Sequence, residues 1–313
     1  MSVSPGTVLV TGLSGRLGRR LVRRLHRVRS VIGLDPRTTV DLPLDVQHEA
    51  LDPLRSGARS LFARGDVSAI VHLGVAHNPK AARSDFHGQN LRVFRRVVEL
   101  AETFRIPKLV LLSSANAYGP RAENAQFLTE TAPLLAGERF SEMRALVELD
   151  MYAQSVFWRL PNLELVVLRP TNILGTVRNA PSNYLRLKLV PLLMGFDPMV
   201  QAVHQDDVAQ AIERALVPGV RGIFNIAGPL PIALSKAVAM LGRKTVTVPY
   251  SVAKGGLSSL FALRMANFPA PELDFIRYVC MCDDTLARTT LGYVPRFDLE
   301  QTLRAVDAER WAP

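Results

Sequence analysis

The chain has 313 residues, 48% of them hydrophobic and 21% charged, with a formal net charge of +10. This balance excludes a low-complexity or unfolded chain and fits one large domain or two unequal lobes sharing a core. No uninterrupted stretch of about 18 apolar residues suggests a membrane-spanning helix, and Cys280 and Cys282 are too few for a disulfide framework and too isolated for a metal site.

The first strand-like run is Thr7–Thr11. No signal-peptide pattern leads into it, so a cytoplasmic location is expected. Between it and the first helical pattern lies Thr11-Gly12-Leu13-Ser14-Gly15-Arg16-Leu17-Gly18. Glycines at such a turn let the backbone approach a pyrophosphate, whose charge then rests against the helix N-terminus. The helix predicted over 15–28 puts Leu17, Leu21, Leu25 and Val28 on one stripe. Arg16, Arg19, Arg20, Arg23, Arg24 and Arg27 surround it.

The next strand, Val31–Asp35, ends on a carboxylate. An acid there accepts hydrogen bonds from adenosine ribose hydroxyls and repels a 2′-phosphate, which favours NAD over NADP; Arg37 nearby softens the discrimination. Further strands are predicted at Ala69–Leu73, Lys108–Ser113 and Leu163–Arg169, with helical patterns between them. That alternation implies a parallel sheet with helices on both faces. A second basic helix carries Arg92, Arg95 and Arg96 opposite Leu91, Phe94, Val97, Val98 and Ala101. Both basic helices read as solvated faces, with an anionic membrane surface or acidic protein as the sharper alternative. No nucleic-acid motif is present, so nucleic acid ranks last. Towards the end, Leu257, Leu260, Phe261 and Phe268 share a helical stripe. Burial is the default there, and contact with a membrane or an apolar substrate tail the alternative.

Taken in order, these motifs resemble the extended short-chain dehydrogenases/reductases, the group of nucleotide-sugar epimerases and dehydratases. The set comprises the glycine turn, Asp45-Val46, Val71-His72-Leu73-Gly74, Asn90, and Ser113-Ser114 leading to Tyr118-Gly119. It continues with Leu168-Arg169-Pro170-Thr171-Asn172, Val203-His204 through Asp207, Phe224–Gly228 and Asp284–Pro295. The resemblance implies an α/β fold. A Rossmann doubly wound parallel sheet would span 1–172 with a returning segment near 222–227. A smaller mixed α/β substrate lobe would come from 173–221 and 228–313. It implies NAD contacts at Gly12, Gly15, Arg16, Leu17, Gly18, Asp35, Asp45, Val46, Leu73, Gly74, Asn90, Ser113 and Arg144. Ser114, Asn172 and His204 would face the substrate, a nucleotide sugar, with no metal. A homodimer through helices 88–104 and 138–158 is expected, using Phe94, Val97, Leu146 and Val147.

One window departs from the family. Where it carries Tyr-x-x-x-Lys, this chain reads Phe140-Ser141-Glu142-Met143-Arg144, with Ser114 in the Ser/Thr place. Phenylalanine has nothing to ionise, and arginine holds its proton at ordinary pH while still able to bond a ribose hydroxyl. The literal matches Tyr184/Lys188 and Tyr250/Lys254 fall in the substrate lobe and read as accidental. Tyr118 and His77 are the nearest substitute acids, whereas His72 reads as strand support. Two readings follow: an NAD enzyme with remodelled acid/base chemistry, or an NAD-loaded pseudoenzyme that regulates, scaffolds or senses redox state.

Overall fold

A computed structural model describes residues 6–39, 41–74, 83–139, 141–177, 179–262 and 270–311. Phe140, His77 and Phe268 lie outside the described residues, as do the side chains of Leu257, Leu260 and Phe261. The first half runs β1 (Thr7–Thr11), α1 (Arg16–Leu25), β2 (Val31–Leu34), β3 (Gln47–Glu49), α2 (Arg59–Phe62), β4 (Val67–His72), α3 (Arg83–Thr103), β5 (Lys108–Leu112), α4 (Ala136–Arg139), α5 (Ser141–Arg159) and β6 (Glu164–Pro170). The second half runs β7 (Asn172–Leu174), α6 (Ala180–Leu185), β8 (Leu189–Leu193), β9 (Met199–Val200), β10 (Ala202–His204), α7 (Gln205–Ala215), β11 (Gly222–Ile226), β12 (Ile232–Ala233), α8 (Leu234–Met240), β13 (Lys244–Val248), α9 (Tyr250–Ala262) and α10 (Leu299–Arg304).

Seven strands form one parallel sheet in the order β11-β6-β5-β4-β1-β2-β3. The strands are buried on both sides, so they read as continuous apolar runs. Alternate residues feed two cores. Val8, Val10, Val71, Val110 and Val166 pack with Leu21, Val22 and Leu25 of α1 and Val208 and Ile212 of α7. Leu9, Ile70, Leu109 and Val167 pack on the other face with Phe94 and Val97 of α3 and Leu149 and Val156 of α5. A third core, apart from the large sheet, is built around Leu174, Tyr184, Leu185, Leu234 and Leu303.

The expected division into lobes shifts in two places. Helix α7 and the segment 287–293 fall between 173 and the C-terminus, yet Ala209, Ile212, Ala287, Leu291 and Tyr293 belong to the core under the large sheet. The returning strand β11 has to cross over to reach β6, and α7 is the helix that covers this crossover.

The Arg-rich helix is also less free than its sequence suggests. Arg20 pairs with Asp206 at 2.9 Å and Arg24 with Glu213 at 2.5 Å, which fastens α1 to α7, and Arg23 pairs with Asp41. Arg16 donates to the Thr176 carbonyl at 2.5 Å. These four arginines make intramolecular contacts, while Arg23 and Arg27 stay exposed to solvent. Among the described residues no helix is long and apolar enough to cross a membrane.

Candidate functional site

Parallel strands bring their carboxyl ends to one edge, and the sheet's order reverses between β1 and β4. The glycine turn leaves β1 at this point, and Leu73-Gly74 leaves β4 beside it, with Leu73 N donating to Thr11 O at 3.0 Å. Gly12 has φ +78°, and a Cβ there would stand 2.6 Å from Gly74 N. A Cβ on Gly18 would stand 2.6 Å from the Gly12 and Leu13 carbonyl oxygens. Only glycine fits either place. At Gly15, the residue preceding α1, a Cβ would meet one atom within contact range, Gly12 O at 3.2 Å. The open side of the turn is therefore a main-chain cradle at a helix N-terminus, suited to an anionic pyrophosphate. Leu17 is half-buried against the α1 core.

Asp35 ends β2 almost fully buried. Its carboxylate accepts from Arg37 N at 2.9 Å, Arg37 Nε at 3.2 Å, Arg37 Nη2 at 3.3 Å and Ser14 N at 3.3 Å. Burial pushes its pKa up, but these hydrogen bonds and the guanidinium charge outweigh burial and hold it below the usual range. Arg37 thus shares the carboxylate that would receive a ribose. Asp45 and Val46 are not brought to this edge. They precede β3, where Asp45 lies 3.1 Å from His26 just beyond α1, and Val46 packs into the core. The carboxyl end of β3 is Glu49, whose carbonyl accepts from Asp35 N. The residues that reach the cradle's side are therefore those after Glu49. Asn90 is buried on α3.

Beyond β5, Ser113 turns inward. Its hydroxyl donates to Asp150 Oδ2 at 2.6 Å, and Arg169 holds the same carboxylate through Nε at 2.9 Å and Nη2 at 2.6 Å. Arg169 Nη1 donates to the Tyr118 hydroxyl at 2.9 Å, which itself donates to Asn225 Oδ1 at 2.8 Å. Burial drives the Tyr118 pKa up, against the opposing pull of Arg169. With its oxygen engaged on both sides, Tyr118 is a structural member of this network and a poor proton donor to a ligand. His72 is sealed beneath the turn, away from the cavity, with Nδ1 2.6 Å from Thr11 Oγ1.

Ser114 faces the other way, into a cavity of about 390 Å³ between the sheet's edge and the third core. Asn116, Thr171 and Asn172 join Ser114 in the lining, with Met143 and Leu146 of α5 and with Tyr184, Leu234 and Leu303. Among the described residues the lining holds no Asp, Glu, Lys, Arg, His or Cys. Arg144 is exposed on α5. Asn172 lines the cavity while donating to Gln201 O at 3.1 Å. His204 does not line it: its Nδ1 caps α7 by accepting from Asp206 N, and its ring stacks on Phe297 at 3.7 Å. Burial lowers its pKa, Asp206 raises it and Arg20 lowers it, with a net fall. The sequence reading passed over Thr171, Asn116 and Met143, although Thr171 sits inside the Arg169–Asn172 run it singled out. Among the described residues no cluster of three or more His, Cys, Asp or Glu is placed to hold a metal.

An uncharacterized protein of Mycobacterium tuberculosis is 27% identical over 317 residues, covering 94% of this chain and 81% of its own length. The UDP-glucose 4-epimerase of Thermotoga maritima, solved with UDP-glucose, superposes with a TM-score of 0.75 at 18% identity, covering 97% of this chain and 98% of that one. The Thermus thermophilus UDP-glucose 4-epimerase, solved with NAD, gives 0.75 at 21% identity, covering 98% of this chain and 100% of that one. The sequence profile of the NAD dependent epimerase/dehydratase family matches residues 8–227, and the chain belongs to that family.

Proposed function

We propose that this protein binds NAD in the glycine cradle and leaves polarisation of a ligand oxygen to Ser114, without the tyrosine–lysine pair. The cradle carries the reading: glycines that no other residue can replace, at the sheet's switch point, opening onto a helix N-terminus beside Asp35. Bound NAD supplies a hydride acceptor or donor. Ser114 Oγ accepts from Asn116 N at 3.2 Å, which orients the hydroxyl and leaves its proton to donate. Phe140 offers no proton, and losing a positioned acid/base costs about 10²–10⁴-fold in rate. A second reading, a non-catalytic NAD-bound regulator or scaffold, is favoured by one observation. Tyr184, the single ionisable residue described in the lining, spends its hydroxyl on Pro191 O at 2.6 Å. The resemblance also implies a nucleotide sugar. Its diphosphate demands cations, and the described lining supplies none.

NAD is expected to raise the melting temperature of the protein. Gly15→Ala, which needs only a small shift of Gly12 O, should weaken NAD at least about tenfold by filling the cradle. Absence of a shift with both NAD and NADP overturns the cofactor reading. Hydride exchange compared between the natural protein and Phe140→Tyr/Arg144→Lys separates the two functional readings. Exchange only in the double variant favours the regulator; equal exchange in both means the proton travels through another group.

A further inference from the structure

We propose that the cavity beyond Ser114 takes a neutral, largely hydrocarbon molecule carrying a single hydroxyl or carbonyl group, in place of a nucleotide diphosphate-sugar. The inference deepens the reading of this crevice as the ligand side of the cofactor site. Three observations carry it.

The first is charge. A diphosphate buried in a protein needs cations or a nest of amide donors, because an uncompensated anion away from water loses its hydration without return. Among the described residues the lining has no Lys, Arg or His.

The second is the state of the polar side chains. Asn179 accepts from Ser182 N and donates to Ile173 O, and Tyr184 donates to Pro191 O, so both present satisfied groups to the interior. Leu185, Leu234, Ile276 and Leu303, also in the lining, present only hydrocarbon side chains. A volume of about 390 Å³ lies in the range of small-molecule sites, roughly 300–1,000 Å³.

The third is Ser114. It follows the carboxyl end of β5 and lines the cavity. Its Oγ accepts from Asn116 N at 3.2 Å, which leaves its proton for a ligand oxygen. Thr171, after the neighbouring strand β6, also lines the cavity, but its hydroxyl oxygen is buried away from the space. The lining thus offers one neutral hydroxyl to one ligand oxygen and is otherwise largely hydrocarbon.

The test uses the full chain, with Nile red as a neutral apolar probe and 2-dodecanone and UDP-glucose as competitors. Each competitor, and separately NAD, is also scored by its shift of the melting temperature. The ketone is expected to displace the dye and raise the melting temperature, with UDP-glucose doing neither. Met143→Lys should weaken the ketone at least tenfold while the NAD shift persists, which shows that the variant is folded. Ser114→Ala should weaken the ketone several-fold and leave the dye unchanged. A ketone shift without an NAD shift sustains the apolar site and overturns the cofactor reading. An NAD shift with no ketone binding, or displacement of the dye by UDP-glucose alone, overturns the apolar site.

Discussion

His72 closes β4 in the interior with a face against Phe94, the ring centroids 5.2 Å apart, and its Nε2 has no partner among the described residues. Burial lowers its pKa to about 4, against an ordinary value near 6.5. The folded protein therefore resists protonation that the unfolded chain accepts. The resulting stability is complete above pH ~6.5 and is lost as pH falls toward about 4, below which both states carry the proton. The loss is roughly 3 kcal/mol at most. Urea unfolding at pH 7.5, 5.5 and 4 should show this slope in the natural protein. In His72→Asn, where an amide can meet Thr11 but cannot titrate, the slope should flatten over that window. Parallel slopes would mean that His72 is not a neutral buried group. At this scale the sequence spoke clearly wherever sterics select one residue type. Gly12 and Gly18 could be read because backbone touches backbone there. The burial of the Thr171 hydroxyl could not, because it depends on segments far apart in the chain.

The elements around the cavity are tied by one ion pair. Arg169 on β6 and Asp150 on α5 are fully buried, and through Ser113, Tyr118 and Asn225 the pair reaches the segment after β5 and strand β11. Arg169→Met would leave the Asp150 carboxylate without its cation in the interior, a loss of about 3–5 kcal/mol. Arg169→Met with Asp150→Leu should recover most of it, since two apolar groups need no partner. Urea denaturation of both variants checks this, and a double variant no more stable than the single one would show that the network, not the pair, holds the elements. The parallel sheet itself was legible, because long apolar runs such as Val67–His72 and Glu164–Pro170 alternate with amphipathic helices. Strand β3 was not. Its three residues, Gln47, His48 and Glu49, carry no apolar period, so no strand was expected there and the cofactor contact was set at Asp45-Val46, ahead of the strand. His204 misled differently: a polar residue before a helix fits a ligand contact or a cap, and only its contacts with Asp206 and Phe297 decide for the cap.

For the whole molecule, the parallel sheet with smaller sheets beside it agrees with the α/β class read from the sequence, while the dimer face named there is occupied internally. Phe94 and Val97 are sealed between α3 and the sheet, Val147 is buried against α4, and Leu146 turns to the cavity. Amphipathic stripes identify which residues are buried but not whether the cover belongs to the same chain. What α5 does present outward is Met151, 58% exposed, and Trp158, 80% exposed. They lie seven residues apart, two helical turns along one face. Arg95 of α3 sits over the Tyr152 ring, 5.1 Å from its centroid, continuing the patch onto the neighbouring helix. Large apolar side chains grouped on one face favour a contact with another chain, and a two-fold axis through α3 and α5 would let the patch cover itself. Sedimentation of the natural protein is expected to give a dimer, and Met151→Glu/Trp158→Glu a monomer that keeps its NAD-dependent melting shift, because neither side chain reaches the glycine turn or the cavity. A monomer in both cases would remove the dimer and leave Trp158 a solvent-exposed ring. A dimer in both would move the interface off α5.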